Sequence, residues 1–363
     1  MRHHVDHRHD RVLELVRARG SIRVTELAAE LGVSPVTLRR DVDALAGQGK
    51  VQRMHGAVVW PGEGRAEEPD PGGRVIGMIV PTTRYIFGDV VSGARRAVEA
   101  QGGRLVLGVS GYVDSEDPVQ AEHLLTSGAE GLLVAPSWFG GAPADGQEEW
   151  LMACEAPTVL VERTAPAINP AALLDRVRTD RAHGAALAVS HFASLGHRSV
   201  AAVVQEGPHA AGITDGYMNA VRSLGLETVP GSPSVRTPGK EYDAVAEYLV
   251  EAVERHGVTA ALVHSDEDAI VLVPRLQARG ISVPEDLALI AYEDEVAALA
   301  DVPLTAIAPP KQAVGELAAK LLLQRLAERS AGREPEPRQH VDLLPKLRVR
   351  ASCGALQEPP DAE

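Results

Sequence analysis

Cysteine is nearly absent from this chain of 363 residues: only Cys154 and Cys353, far apart, are present. That count and spacing leave no room for a disulfide framework or a cysteine-rich zinc site, so a reducing cytoplasm is the expected address. No apolar run approaches the roughly 18 residues that a membrane helix needs, so no membrane partner is expected. The first residues, MRHHVDHRHD, lack an apolar core, and no secretory signal is expected from them. Aromatic residues make up only 3% of the chain, so any local pair of them stands out. No Gly-x-Ser-x-Gly elbow, phosphate-binding loop, HExxH or paired-carboxylate arrangement is found. Catalysis therefore has little support, and neither a metal nor a cofactor is expected.

What is present is ordinary for a globular protein of two or three domains, with 45% hydrophobic and 24% charged residues. The charge, however, is unevenly placed. The whole chain carries a formal -14, yet residues 1–60 hold 10 basic and 7 acidic residues, and all the rest hold 26 and 43. A small basic end on an acidic bulk hints at a polyanionic partner for that end alone.

The basic end has a helical pattern. Val12, Leu13, Leu15 and Val16 predict a first helix that stops at Gly20, and Thr25 can cap a second carrying Leu27, Ala28 and Leu31. Ser34 then caps a third, with Pro35 at its first position, where a missing N–H costs nothing. Leu38, Val42 and Leu45 recur at i, i+4 and i+7, which makes them the buried face and points Arg40 away from it, with Arg39 and Thr37 at its flanks. An Arg-Arg pair on a helix is by itself a solvated face. Here the pair lies on the second member of a helix, tight turn and helix, which is the arrangement that reads DNA. After Gly49 the pattern turns extended, "KVQRMHGAVVW" broken at His55-Gly56, as in a two-stranded wing.

Residues 9–60, above all "VSPVTLRRDVDALAGQGKVQRMHGAV", resemble the DeoR-type winged helix-turn-helix in their Ser…Thr…Arg-Arg-Asp…Leu…Gly…Arg…His-Gly order. The resemblance implies operator DNA as partner, with Ser34, Thr37, Arg39, Arg40, Arg53 and His55 as the DNA-facing set and Asp41 placed to orient one of the arginines. The early histidines, His9 among them, are expected to be part of a frayed polar terminus rather than metal ligands.

Residues 61–73, PGEGRAEEPDPGG, have no apolar period and are expected to be a linker. Beyond them, short Val/Leu/Ile runs at 74–80, 104–110, 131–136, 157–163, 199–204, 260–265 and 287–294 alternate with amphipathic helical stretches such as 89–101, 183–195, 242–255 and 311–328. Continuous apolar runs separated by helices indicate buried parallel strands, here in two doubly wound lobes. Ligands of such sheets sit at the carboxyl ends of the strands, so the cleft between lobes is the expected site.

Residues 74–352 resemble the LacI/GalR-type effector-binding domain, related in fold to periplasmic sugar-binding proteins. The carrying segments are "IGMIVP" (76–81), "LGHRSVA" (195–201), "GISVPEDLALIAYED" (280–294), "PLTAIAPPKQAVGELAAKLL" (303–322) and "LLPKLRVRASCG" (343–354). The expected fold is thus α/β: an N-terminal winged helix-turn-helix (1–60), the linker, a periplasmic-binding-protein-like domain of two lobes (74–354) and a disordered tail (355–363). The chain departs from the pattern in three places. Glu293 stands for the usual Asp, Ser265-Asp266 for an Asn-Asp pair, and Ile213 for the arginine that commonly reaches the ligand. The last change makes a strongly anionic effector less expected.

Strand ends supply the candidate effector ligands. Tyr85, Phe87 and Trp138 are read as stacking surfaces for a sugar face, against the alternative of loop packing. Ser110, Ser137 and Arg163 offer hydroxyl and guanidinium hydrogen bonds. Ser265, Asp266 and Glu293 end second-lobe strands and can accept from ligand hydroxyls, against the alternative of capping the next helices. Asp180 is expected to cap the helix that starts at Arg181. The sequence reads as a cytoplasmic, homodimeric transcriptional regulator, a repressor, controlled by a small-molecule effector of the sugar class. Its alternatives are a sugar-metabolising enzyme with a DNA-binding appendage and a regulator whose sensor has lost its ligand.

Overall fold

The structure, a computed structural model, describes residues 73–237 and 240–355 continuously. Before them it describes residues 9, 11–13, 15, 16, 21–23, 27, 28, 30, 31, 33, 37, 38, 41, 42, 45, 52–54 and 57–59. The linker up to residue 72 and the tail from 356 lie outside the described residues. The chain forms two compact units, Met1–Gly73 and Arg74–Glu363.

In the first unit the predicted apolar periods meet in one core. Val12, Val16, Leu27, Ala28, Leu38, Val42 and Leu45 are buried together with Ile22 and Val58. Strands β1 (Ser21–Arg23), β2 (Gln52–Met54) and β3 (Ala57–Val59) form an antiparallel sheet in the order β1-β3-β2. β2 and β3 pair antiparallel with Met54 opposite Ala57, and β1 adds a third strand to what the sequence presents as two. Three residues are too few for a period-2 pattern to show; pairing with β3 alone defines the strand. His9 is helical and its Nε2 lies 3.2 Å from Asp41 Oδ1, so His9 itself is held in place, not frayed; the other early histidines lie outside the described residues.

The second unit consists of two lobes. The first has a fully parallel sheet, β14-β8-β7-β6-β4-β5. Its strands are β4 (Val75–Val80), β5 (Arg104–Val109), β6 (Gly131–Val134), β7 (Thr158–Val161), β8 (Asp175–Thr179) and β14 (His340–Leu343). Helices α1 (Ile86–Glu99) and α8 (Lys311–Ser330) cover one face; α2 (Glu116–Thr126) and α3 (Glu149–Ala153) belong to the other. The second sheet, β10-β9-β11-β12-β13-β15, is parallel except for β15. It consists of β9 (Ala201–Gln205), β10 (Ser234–Arg236), β11 (Ala260–His264), β12 (Ala288–Tyr292), β13 (Thr305–Ala308) and β15 (Lys346–Arg348). Helices α4 (Arg181–Ser194), α5 (Ala210–Ser223), α6 (Tyr242–His256) and α7 (Asp266–Gln277) wrap it on both faces.

The central strands are apolar throughout because both faces are covered. The chain passes between lobes three times, at Thr179–Arg181, Ala308–Lys311 and Leu343–Lys346. Where α1 crosses α8, a Cβ on Gly315 would fall 1.8 Å from the carbonyl oxygen of Val90 and one on Gly93 would fall 2.0 Å from that of Gln312. Only a hydrogen fits at either place.

Candidate functional site

The carboxyl ends of both sheets face each other across the cleft, and there the backbone is strained. Six non-glycine residues among those described have positive φ, and four of them line the cleft: Tyr85 (55°), Tyr112 (61°), Glu162 (54°) and Glu293 (107°). Such conformations cost of order 1–3 kcal/mol each and persist where packing over-determines them, which is typical of ligand sites. Gly141 of the first lobe touches the second so closely that a Cβ would fall 2.1 Å from the Pro208 carbonyl oxygen.

Between the lobes lies a cavity of about 370 Å³. Its first-lobe walls include Tyr85, Phe87, Tyr112, Phe139 and Arg163; Gln205–His209, His264 and Glu293 close it from the second. Four of the chain's few aromatic side chains (three Trp, six Tyr, three Phe) thus gather in one chamber. A larger hollow of about 560 Å³ lies elsewhere on the first lobe, but there Arg74 already pairs with Glu130 at 2.8 Å and bonds Ser330. Arg329 there donates to the Glu155 carbonyl at 2.8 Å.

The floor of the cleft is an ion-pair network that joins the lobes. Glu293 takes a hydrogen bond from Arg181 and has Lys311 Nζ at 3.4 Å. Arg181 also reaches Glu162 of the first lobe at 3.5 Å, and Lys311 donates to the Glu293 carbonyl and to Glu295. Burial alone would raise the Glu293 pKa, but Arg181, Lys311 and His264 outweigh it and hold the carboxyl below its usual range. Burial likewise pulls His264 down to about 4, and His209 falls well below the ordinary histidine value through burial and the nearby Arg181 and Arg163. Both imidazoles are neutral near pH 7. Three buried polar atoms on the cavity residues have no hydrogen-bond partner: Arg163 Nη2, His264 Nδ1 and Glu293 Oε2.

Of the residues singled out from sequence, Tyr85, Phe87, Arg163 and Glu293 line this cavity. Ser110 and Ser137 bond each other at 2.9 Å, and Ser137 donates to buried Asp117, all inside the first lobe. Trp138 is 1% exposed and packs in the core beside Leu151 and Ala171. Ser265 caps α7 by accepting from the Asp268 N–H. Asp266 accepts the Tyr85 hydroxyl on Oδ1 at 2.9 Å and the Glu295, Val296 and Ala297 amides on Oδ2. Its lone pairs serve the fold and the lobe contact. Asp180 caps α4 through the His183 N–H, as its place before Arg181 predicts, and Ile213 is buried in the second-lobe core. In the first unit Thr37 is half-buried and Arg53 lies on β2; Ser34, Arg39, Arg40 and His55 lie outside the described residues.

The same division into two parts emerges from comparison with known proteins. The DeoR-like helix-turn-helix domain family matches residues 8–63, and the periplasmic binding protein-like domain family matches residues 189–353. The chain joins a DeoR-like helix-turn-helix to a periplasmic-binding-protein-like domain. A protein described as the arabinose metabolism transcriptional repressor of Geobacillus stearothermophilus is 24% identical over 335 residues, 90% of this chain and 89% of that one. The HTH-type transcriptional regulator MalR of Streptomyces coelicolor is 27% identical over 358 residues, 92% of this chain and 97% of that one. Among solved structures, a transcriptional regulator CelR–cellobiose complex superposes with a TM-score of 0.63 at 23% identity, covering 88% of this chain and 91% of that one. A LacI family regulator from Enterococcus faecium with bound ribose gives 0.61 at 24%, covering 78% and 100%. The fold is that of LacI-type regulators, with a DeoR-like head.

Of the cavity residues, Tyr112, Phe139, His209 and His264 escaped the reading of the sequence. His264 ends the strand "AALVH" and was within reach of the strand-end rule; the other three lie in loops with no such signal.

Proposed function

We propose that this protein is a DNA-binding transcriptional regulator, a repressor, whose operator binding is controlled by a sugar-class effector held between the two lobes. The observation that carries the reading is the inter-lobe chamber, with aromatic walls, unpartnered polar atoms on both lobes and strained backbone, in a chain that also bears a DeoR-like helix-turn-helix. Aromatic rings suit the apolar face of a pyranose or furanose, and Glu293, His264 and Arg163 can exchange hydrogen bonds with its hydroxyls.

The mechanism is a population shift. An effector that touches both walls binds the closed pair of lobes better than an open one, and its differential affinity sets the limit of the response. Gly141 against Pro208 and Tyr85 against Asp266 are the contacts that closure makes. The DeoR-like unit supplies the operator contacts, Arg39 and Arg40 foremost, and we place the protein in the cytoplasm as a homodimer. Among the described residues no helix is long and apolar enough to cross a membrane. Turnover is no part of the proposal: Glu293 is held ionised between Arg181 and Lys311, and Asp266 is saturated by donors.

The test is a gel-shift assay on the chain's own upstream DNA, with and without a panel of pentoses, hexoses and disaccharides, paired with recovery of each sugar afterwards. A sugar that releases the operator and is recovered unchanged is the expected result. Conversion of the sugar would overturn the regulator reading in favour of an enzyme.

A further inference from the structure

We propose that the effector carries an anionic group, a carboxylate or phosphate, received by Arg163 at the start of α5. This rests on the sensor reading above and names the chemistry of its ligand. Arg163 is 1% exposed, and its two bonded nitrogens donate only to backbone carbonyls: Nε to Pro136 at 2.7 Å and Nη1 to Glu162 at 2.9 Å. Nη2 is buried with no partner, and no described carboxylate pairs with the guanidinium. Burial lowers its pKa only to about 10, so the charge is present at neutral pH. The other buried cations of the cleft are not in this position, since Arg181 has Glu162 and Glu293, and Lys311 has Glu293 and Glu295. Glu162 and Asp117 act on it only at a distance, and a buried guanidinium with no carboxylate paired to it is costly, which a ligand anion would offset.

The surroundings fit an anion. Arg163, Pro208 and His209 line both the aromatic chamber and an adjoining recess of about 100 Å³. That volume holds a carboxylate or phosphate but no sugar ring, which belongs in the chamber. The 14-residue helix α5 begins at the recess, with Ala211 and Gly212 in its lining. Its first turn contains no acidic residue, and the side chain of its N-cap His209 makes no capping bond. Of its first three amides only that of Ala210 is taken, by the Gly207 carbonyl at 3.1 Å, so the helix dipole and the next two amides face an anion there. The two carboxylates whose charge reaches Arg163 are occupied: Thr179 donates to Glu162 Oε1 from Oγ1 at 2.7 Å and Arg181 reaches Oε2, while Asp117 accepts the Ser137 amide at 2.7 Å and its hydroxyl at 3.1 Å. The guanidinium that the family resemblance leads one to seek at Ile213 is thus supplied from the opposite lobe.

The test is calorimetric titration of the full chain with matched neutral and acidic forms: galactose, galacturonate and galactose 6-phosphate; glucose, glucuronate and glucose 6-phosphate; arabinose and arabinose 5-phosphate; ribose and ribose 5-phosphate. At equal ionic strength at least one acidic form binds tenfold or more tighter than its neutral parent. In Arg163→Gln that ratio falls to within threefold of one, and in Arg163→Lys part of it returns, which shows the binding unit intact. Uronates alone as ligands assign a carboxylate, and sugar phosphates alone a phosphate. A neutral sugar that binds as tightly as its acids, or a preference that survives Arg163→Gln, overturns the proposal and leaves the sensor reading standing. Failure of every compound, neutral and acidic, overturns both.

Discussion

Replacing Glu293 by Gln tests the ion-pair floor of the cleft most directly. The substitution keeps the shape of the side chain and removes a charge that is 1% exposed, set against Arg181 and Lys311, each 6% exposed. Breaking a buried pair costs about 3–5 kcal/mol because the surviving charge stays desolvated. Here the survivors keep other partners, Glu162 for Arg181 and Glu295 for Lys311, so the cost belongs at the lower end, about 3 kcal/mol. Against a total stability of roughly 5–15 kcal/mol this is easily read in urea unfolding. The pH dependence supplies a second signature. A carboxyl whose folded pKa is depressed contributes stability that is full above its unfolded pKa, about 4.3, and is lost as pH falls through the folded value. The wild type should therefore lose stability below about pH 4 more steeply than Glu293→Gln. A loss under about 1 kcal/mol with an unchanged slope in urea would refute the reasoning.

Four further outcomes are expected. His264, neutral in the fold with a pKa of about 4, makes the unfolded chain the better proton binder below pH 6.5, so stability falls on acidification from pH 6.5 towards 4, and His264→Gln flattens that window; parallel pH profiles would count against it. Gly141→Ala adds a Cβ facing the Pro208 carbonyl at φ 77°, so effector affinity drops by about tenfold or more while stability falls only about 1–2 kcal/mol; unaltered affinity would show that closure does not use this contact. Arg40→Ala weakens operator binding, by about 1–3 kcal/mol if it reads a base, with no loss of stability; an unchanged gel shift removes Arg40 from the interface. The fragment 74–363 folds and binds effector but not DNA, since this unit has its own cores; aggregation of the fragment would show that the two units share one.

Much of the fold was legible because buried parallel strands must be apolar on both faces: β4, β6, β7, β11 and β12 lie within the Val/Leu/Ile runs that announce them. The face Leu38, Val42 and Leu45 follows from helical spacing alone, and all three are buried. Other elements were hidden by charge. Strand β8, Asp175-Arg-Val-Arg-Thr, is not among the apolar runs, and Arg325, far along the chain, closes a bidentate pair on Asp175 at 2.8 and 2.9 Å. Strand β14 keeps Asp342 for Arg178 in the same way.

At the site, sequence fixed the neighbourhood, and tertiary structure decided which atoms are free within it. His264, Ser265 and Asp266 follow one another at one strand end, yet only His264 lines the cavity and keeps a buried nitrogen without a partner, while Ser265 caps a helix and Asp266 gathers three amides from a loop about thirty residues on. Chain order records which polar groups reach a strand end. Whether a donor from another segment already occupies each of them is settled only when the lobes pack.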